Sequence, residues 1–468
     1  MAKQAAFLEG NLMRHITVMA LTSSVGLMAV FVVDLVDMIF ISMLGKEELA
    51  AAIGYAGAIL FFTASFGIGM GIATGALVAR ALGQGDTELA RRRAGASLIY
   101  GGGLGAIFAA IVWSYIVPLA GFMGARGETL DFAVGYLRII LPSLPFLMIG
   151  MIGGAILRAH GAARQAMMAT VIGGVINAVL DPILIFGFDL ELTGAALASV
   201  AARIGIASAA LYPIFRHYGG VPRPSLGNLP GDLAALLAIA LPAILTQLAT
   251  PVGQAYVTRS MAPYGADAVA GMAIIARLTP VAFGVLFALS GAIGPIMGQN
   301  FGAHRIDRVR RSLINAVLFT AIVVCGMSAL LYGLRAPLLA LFQADGLTAS
   351  LVLLFCGPLA LAFFFNGLIF IGNATFNNLG HPYYSTWINW GRHTVGTIPF
   401  VLLGGWLFGA PGVLIGQAAG GVLFGLGAMW LARRVIAQAE QAKADAADGV
   451  QEPFARQGRL MSLLHLRR

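Results

Sequence analysis

Three carboxylates, Asp34, Asp37 and Asp181, sit in stretches whose other residues are those of lipid-embedded helices. The first two lie in GLMAVFVVDLVDMIFISML (26–44). The third lies in VIGGVINAVLDPILIFGF (171–188), four residues after Asn177. A charge at mid-bilayer costs about 2.5–3.5 kcal/mol even on lenient insertion scales. Such groups therefore face a cavity, a partner or an ion path. Asn177 and Asp181 are spaced i, i+4 and share one helix face. Pro182 removes an internal hydrogen bond and is expected to free a carbonyl near Ala178. A carboxylate, an amide oxygen and a freed carbonyl suit a hard cation such as Na⁺. Two carboxylates in a dry pocket would instead share one proton, because desolvation and like charge both oppose a second negative charge. The competing reading is a hydrogen-bonded contact between helices. Asp34, three residues before Asp37, lies near the same face. It can pair with Arg138 or Arg203, line a cleft, or attract a cationic substrate.

The elements that must position these groups follow from composition. The chain has 468 residues, is 59% hydrophobic and 10% charged, and has a mean hydropathy of +0.86. Soluble domains carry roughly 25% charged residues, so this is an integral membrane protein. Met1–Gly10 is polar and the first apolar run is too long for a signal-peptide core, so the first helix is expected to persist as a signal anchor. A crossing needs about 20 apolar residues. Twelve stretches qualify: 15–43, 50–82, 95–117, 132–157, 164–188, 192–215, 233–262, 269–301, 312–333, 350–376, 383–407 and 412–432. With both termini on one side, 21 of the 29 Lys and Arg collect there and 4 on the other side, the remaining 4 falling within spans. The excess of positive charge marks the cytoplasmic side.

The chain repeats at a separation of about 219 residues. Gly83 to Arg92 falls on Gly302 to Arg311, Gly161 on Gly380, and Gly194 on Gly412 after a one-residue slip. Six spans per repeat give both halves the same orientation, hence parallel repeats about an axis along the membrane normal. The expected organisation is an all-α membrane protein of two six-helix lobes: residues 1–216, a Gly/Pro-rich cytoplasmic linker at 217–232 serving as hinge, residues 233–434, and a polar, disordered tail at 435–468. Two lobes around a cleft suit alternating access.

The acids are not repeated. Asp37 corresponds to about Tyr256 or Val257, Asn177 to Gly396, Asp181 to Phe400 and Ser199 to Gln417. The second lobe folds without acids at these places, so the cation or proton site belongs to the first. The second half offers Gln247, Gln254, Asn366, Asn373 and Asn377, with Arg277 as the main cation. Asp34, Gln254, Tyr256, Asn373 and Asn377 are the candidates for lining a substrate cleft. The sequence assigns no role to Arg277 or Arg392, nor a settled one to Arg138 and Arg203.

Several other chemistries are excluded. GIGMGIATG (67–75) looks like a nucleotide loop but lies inside a span, where glycine every fourth residue serves close helix packing. No GxxxxGK[ST] phosphate loop occurs, so ATP does not drive this protein directly. Asp181 lacks the glycine–aspartate setting of an intramembrane protease, and nothing else points to an enzyme or a cofactor. Cys325 and Cys356 read as small buried hydrophobes. His15, His160, His217, His304 and His381 fall at span ends and are expected to be solvated, and His393 to be packed. The net charge of +9 reflects topology rather than nucleic-acid binding.

At LVDMIFISMLG (35–45), VARALGQGDTELARR (78–92), NAVLDPILIFG (177–187), TGAALAS (193–199) and GPIMGQNFGAHRIDRVRR (294–311), the chain resembles the multidrug and toxic compound extrusion (MATE) transporters. The pieces recur in family order from residue 15 to about 434. The resemblance implies a twelve-helix antiporter exporting lipophilic or cationic compounds against H⁺ or Na⁺ across a bacterial or archaeal cytoplasmic membrane, as a monomer. It implies coupling-cation ligands at Asp37, Asn177, Asp181 and Ser199, serine standing where threonine is commoner. It is nearest the DNA-damage-inducible (DinF-type) branch. One departure is Thr22, where members often carry a helix-1 proline; the second repeat keeps Pro242. The rivals are a flippase for a lipid-linked precursor, which calls for a strongly cationic cleft, and a non-transporting scaffold, which leaves the buried acids unexplained.

Overall fold

The computed structural model describes residues 5–222 and 227–447. It is all helical, as a chain without water to satisfy its backbone must be. The crossings are α1 (Leu12–Met43), α2 (Glu48–Gly83), α3 (Thr87–Ser114), α4 (Gly127–Ala159), α5 (Ala163–Gly187), α6 (Glu191–His217), α7 (Leu229–Tyr264), α8 (Ala266–Gly302), α9 (Ile306–Leu341) and α10 (Gly346–Leu379). The last apolar stretch, Pro382–Asp445, reverses at Gly409, whose φ of 65° only glycine adopts freely. It yields α11 (382–408) and α12 (410–447), completing twelve. The reversal is tight. β-carbons on Gly412, Gly416 and Gly420 would overlap the backbone of Gly404, Phe400 and Gly396 in turn, so the two helices run antiparallel with their backbones touching.

Ends and bends have local causes. Asn11 and Asp86 cap α1 and α3, accepting from the amides of Arg14 (3.1 Å) and Leu89 (2.8 Å). Pro182 cannot donate, and the turn after it, Ile183–Gly187, widens to a π-helix. Gly194 of α6 packs against that turn, where a β-carbon would stand 2.7 Å from the carbonyl carbon of Leu184. Helix α1 has no proline and runs unbroken. Large apolar side chains such as Phe122, Trp406 and Trp430 point outward, as lipid requires.

The two lobes meet symmetrically: α1 packs on α8, α7 on α2, and α2 crosses α8. At that crossing, a β-carbon on Gly83 would overlap the carbonyl of Gln299, and one on Gly302 the carbonyl of Arg80. Gly302 and Gln299 are the counterparts of Gly83 and Arg80 at the offset of about 219 residues, so the repeat axis passes through this contact. The crossing closes the cleft at the arginine-rich end. Arg80 also donates to the carbonyl of Asn378 at 2.8 Å. A strap before α1 seals the same end. The Phe7 amide donates to Gln299 Oε1 (2.8 Å), Gln299 Nε2 donates to the Ala159 carbonyl (2.8 Å), and Arg308 donates to the Phe7 carbonyl (3.0 Å).

Some expectations change. Helix α7 already begins at Leu229, before the expected 233, and the described part of the linker is docked by hydrogen bonds. Arg91 donates to the Gly219 carbonyl, Tyr100 to the Leu229 carbonyl (2.9 Å), and buried Asp232 pairs with Arg93 (2.9 Å) and Arg92 (3.4 Å). Residues 223–226 lie outside the described residues. The tail is helical to Ala447, because apart from Asp445 the segment AQAEQAKADAA is made of strong helix formers; residues 448–468 lie outside the description. Cys356 is buried, but Cys325 is exposed on α9. His160 is half-buried rather than fully solvated. Its Nδ1 meets the Ile156 carbonyl (2.9 Å), its ring lies 4.5 Å from that of Tyr218, and burial holds its pKa below the usual 6.5. His381 stacks on Tyr384 at 5.3 Å and is lowered for the same reason.

Candidate functional site

Helices α1 and α5 bring Asp37 and Asp181 together from 144 positions apart, with the carboxylates within hydrogen-bonding reach of each other. Asp181 is fully buried and Asn177 nearly so. Asn177 Nδ2 donates to Asp181 Oδ2 at 2.8 Å, the i, i+4 contact expected from the spacing. This leaves Asp181 Oδ1 and Asp37 Oδ1 buried without a donor. Two acceptor oxygens facing one another cannot both stay anionic and dry. A proton shared between them, or a small cation held by both, removes the conflict. Among the described residues no cluster of three or more His, Cys, Asp or Glu is placed to hold a metal ion. Any cation here would draw on two carboxylates and neutral oxygens only.

Two residues unassigned by sequence complete the surroundings. Tyr136 of α4 lies close to Ser199 of α6 and in the neighbourhood of Asp37, Asp181 and Arg203. It gave no signal in sequence, because a tyrosine in an apolar span is ordinary. Arg203 donates to the Ile140 carbonyl (3.2 Å) and Ser143 Oγ (3.0 Å), which fixes it beside Tyr136. Neither Arg203 nor exposed Arg138 forms an ion pair with Asp34 among the described residues; Asp34 is exposed, one turn from Asp37.

The second lobe shows why acids are dispensable there. Where α5 carries Asn177 and Asp181, α11 carries Gly396 and Phe400, and both touch the α12 backbone directly. The counterpart of Ser199, Gln417, donates to Gln254 at 3.2 Å, a neutral exposed pair. Tyr256 is half-buried one turn from Ser260, whose hydroxyl donates to its carbonyl. Asn373 and Asn377 do not line the cleft. They are buried inside the lobe, accepting from Asn389 (3.0 Å) and Ser385 (3.2 Å) of α11. Their i, i+4 spacing marks a polar face, but that face is turned to a neighbouring helix. His393 is packed as expected, into space left by Gly253.

This architecture has known relatives. The MatE family model matches residues 23–183 and 242–403, one copy in each lobe. An FAD transporter of Shewanella oneidensis is 28% identical over 436 residues, covering 92% of this chain and 96% of its own. The multidrug export protein MepA of Staphylococcus aureus is 27% identical over 331 residues, 70% of this chain and 72% of its own. The crystal structure of the Vibrio cholerae MATE transporter VcmN in the bent form superposes with a TM-score of 0.86 at 27% identity, covering 92% of this chain and 98% of that one. Two matched repeats, the twelve-helix fold and relatives along nearly its whole length show that the chain belongs to the MatE family, a family of membrane transporters and not of enzymes.

Proposed function

We propose that the chain is a cation-coupled antiporter that exports amphipathic and cationic organic compounds by alternating access. The observation that carries this reading is the pair of facing carboxylates in one lobe only, with two buried oxygens lacking a donor. Asp37 and Asp181 take H⁺ or Na⁺, with Asn177 and Ser199 as neutral oxygen ligands and Tyr136 as a hydroxyl at the rim. Occupancy by a cation relieves the repulsion between α1 and α5, so packing of α1 differs between the loaded and empty states. Helix α1 also packs on α8 of the other lobe, so it links the site to the cleft. By linkage, if cation binding weakens cargo binding by some factor, cargo weakens cation binding by the same factor. The asymmetry of Lys and Arg supports cytoplasmic termini in a prokaryotic plasma membrane. Multidrug export by MepA supports varied lipophilic cargo, and the name of the FAD transporter extends the range to a dinucleotide.

Proteoliposomes test this. Purified protein is reconstituted, and ethidium efflux is followed under an imposed pH gradient and, separately, a Na⁺ gradient. Efflux driven by one gradient, lost in Asp37→Asn and Asp181→Asn, is the expected result and names the coupling ion. Transport by both variants at the wild-type rate would remove the site.

A further inference from the structure

Arg158 ends α4 at the arginine-rich side, yet its side chain turns back toward the membrane centre, as helical side chains do. The guanidinium fills space left by two glycines. Its Nη1 lies 3.3 Å from where a β-carbon on Gly154 would stand. Its Nε lies 3.8 Å from that point on Gly291, which belongs to α8 in the other lobe. Arg158 thus bridges the lobe interface. The next residue, Ala159, accepts the hydrogen bond from Gln299 that seals the closed end, so Arg158 sits directly on the central side of that seal. Among the described residues it has neither an ion pair nor a side-chain hydrogen bond, unlike Arg80, Arg203 and Arg308. Arg158 is half-buried and its guanidinium nitrogens are not enclosed, so its donors stay open to an anion entering between the lobes.

The wall beside it is aromatic. On α8, Gly284 meets Met28 of α1 and Gly291 meets Arg158, so this face is turned to the first lobe. Phe287 lies on the same face, one turn or about 6 Å from Gly291, and is 37% exposed. Its ring packs 5.3 Å from Phe370 and 6.0 Å from Phe363 of α10. A flat apolar surface one turn above an uncompensated guanidinium is complementary to a ring that carries a negative group.

We infer that the closed end of the cleft holds an anion subsite at Arg158, with a ring subsite at Phe287, Phe363 and Phe370, and that it takes aromatic organic anions bearing a carboxylate, sulfonate or phosphate. This rests on the interlobe cleft being the transport path. It does not depend on which cation is coupled, because it is tested by binding without a gradient.

The experiment measures binding of dansylglycine, an anion, and dansylamide, its neutral analogue, to purified protein in a non-ionic detergent, by dansyl fluorescence. The wild type should prefer dansylglycine by roughly 10- to 100-fold, as a charge-assisted hydrogen bond provides. Arg158→Gln should abolish the preference and leave dansylamide unchanged, Arg158→Lys should retain part of it, and Phe287→Leu should weaken both probes. Inorganic phosphate should compete with dansylglycine on the wild type, which covers the case in which Arg158→Gln does not fold. A preference that survives in Arg158→Gln, or no competition by phosphate, overturns the subsite. Displacement of dansylglycine by phosphatidylglycerol but not by phosphate assigns the arginine to a lipid headgroup and overturns it as a cargo site. Loss of gradient-driven efflux with intact probe discrimination leaves the subsite standing and bears only on coupling.

Discussion

Replacing Gly83 with alanine should open the closed end of the cleft, whereas the same change at Gly103 should not. At the α2–α8 crossing a β-carbon on Gly83 would overlap the carbonyl oxygen of Gln299 and lie 2.7 Å from its carbonyl carbon and 2.8 Å from its Cα. Carbon atoms settle at about 3.5–4.0 Å, so the helices must part by about 1 Å. The obstacle is backbone, which cannot swing aside. Overpacking of this kind costs about 1–3 kcal/mol. The penalty falls only on the closed form, so the closed-to-open ratio should drop by roughly 5- to 150-fold. Gly103, on α3, has nothing within 4 Å of an added β-carbon, and alanine there only favours the helix. Spin labels at Glu88→Cys and Asp307→Cys, exposed repeat counterparts flanking the crossing, report the separation by pulsed dipolar spectroscopy after both native cysteines are replaced. Gly83→Ala should move population to longer distances and slow efflux. Gly103→Ala should superimpose on the wild type. A folded Gly83→Ala protein with an unshifted distribution would refute the idea that this contact sets closure.

Asp181→Asn should lose at least tenfold in gradient-driven efflux while inserting and melting as the wild type does, because the amide keeps the shape and the second lobe folds without an acid there; normal efflux counts against coupling at Asp181. Gln299→Leu removes the hydrogen bonds to Phe7 and Ala159. The bond to Phe7 is the one that holds the strap, so at about 0.5–1.5 kcal/mol amide exchange of Phe7–Gly10 should accelerate roughly 2- to 13-fold, and unchanged exchange would show that the strap is held by Asn300, Arg305 and Arg308, which donate to the carbonyls of Phe7, Leu8, Glu9 and Gly10, without Gln299. Burial lowers the pKa of His160 below its usual 6.5. The unfolded chain therefore takes up the proton first, so stability falls as pH drops through about 6.5. His160→Gln should lose less melting temperature than the wild type between pH 7.5 and 5.5, and equal losses would show that His160 carries none of the effect.

What the sequence determined by itself was whatever depends on local composition and spacing. Twelve spans follow from apolar length, and the offset of about 219 residues already pairs Gly83 with Gly302. Asn177 and Asp181 meet because i, i+4 residues share a face whatever surrounds them, and the absence of acids at the matching positions of the second half confines the carboxylate pair to the first. Only the tertiary structure decided what lies across a gap between helices. Asp37 and Asp181 reach each other because α1 packs on α5, and Tyr136 joins them from α4, a residue type too common in spans to stand out. Asn373 and Asn377 have the spacing of a polar face, but packing turns that face toward α11 and away from the cleft. Arg158 counted as a charge at the edge of the membrane, since a span boundary is a statement about backbone. Its side chain is long enough to run back between the lobes, and only the positions of Gly154 and Gly291 show that space was left for it.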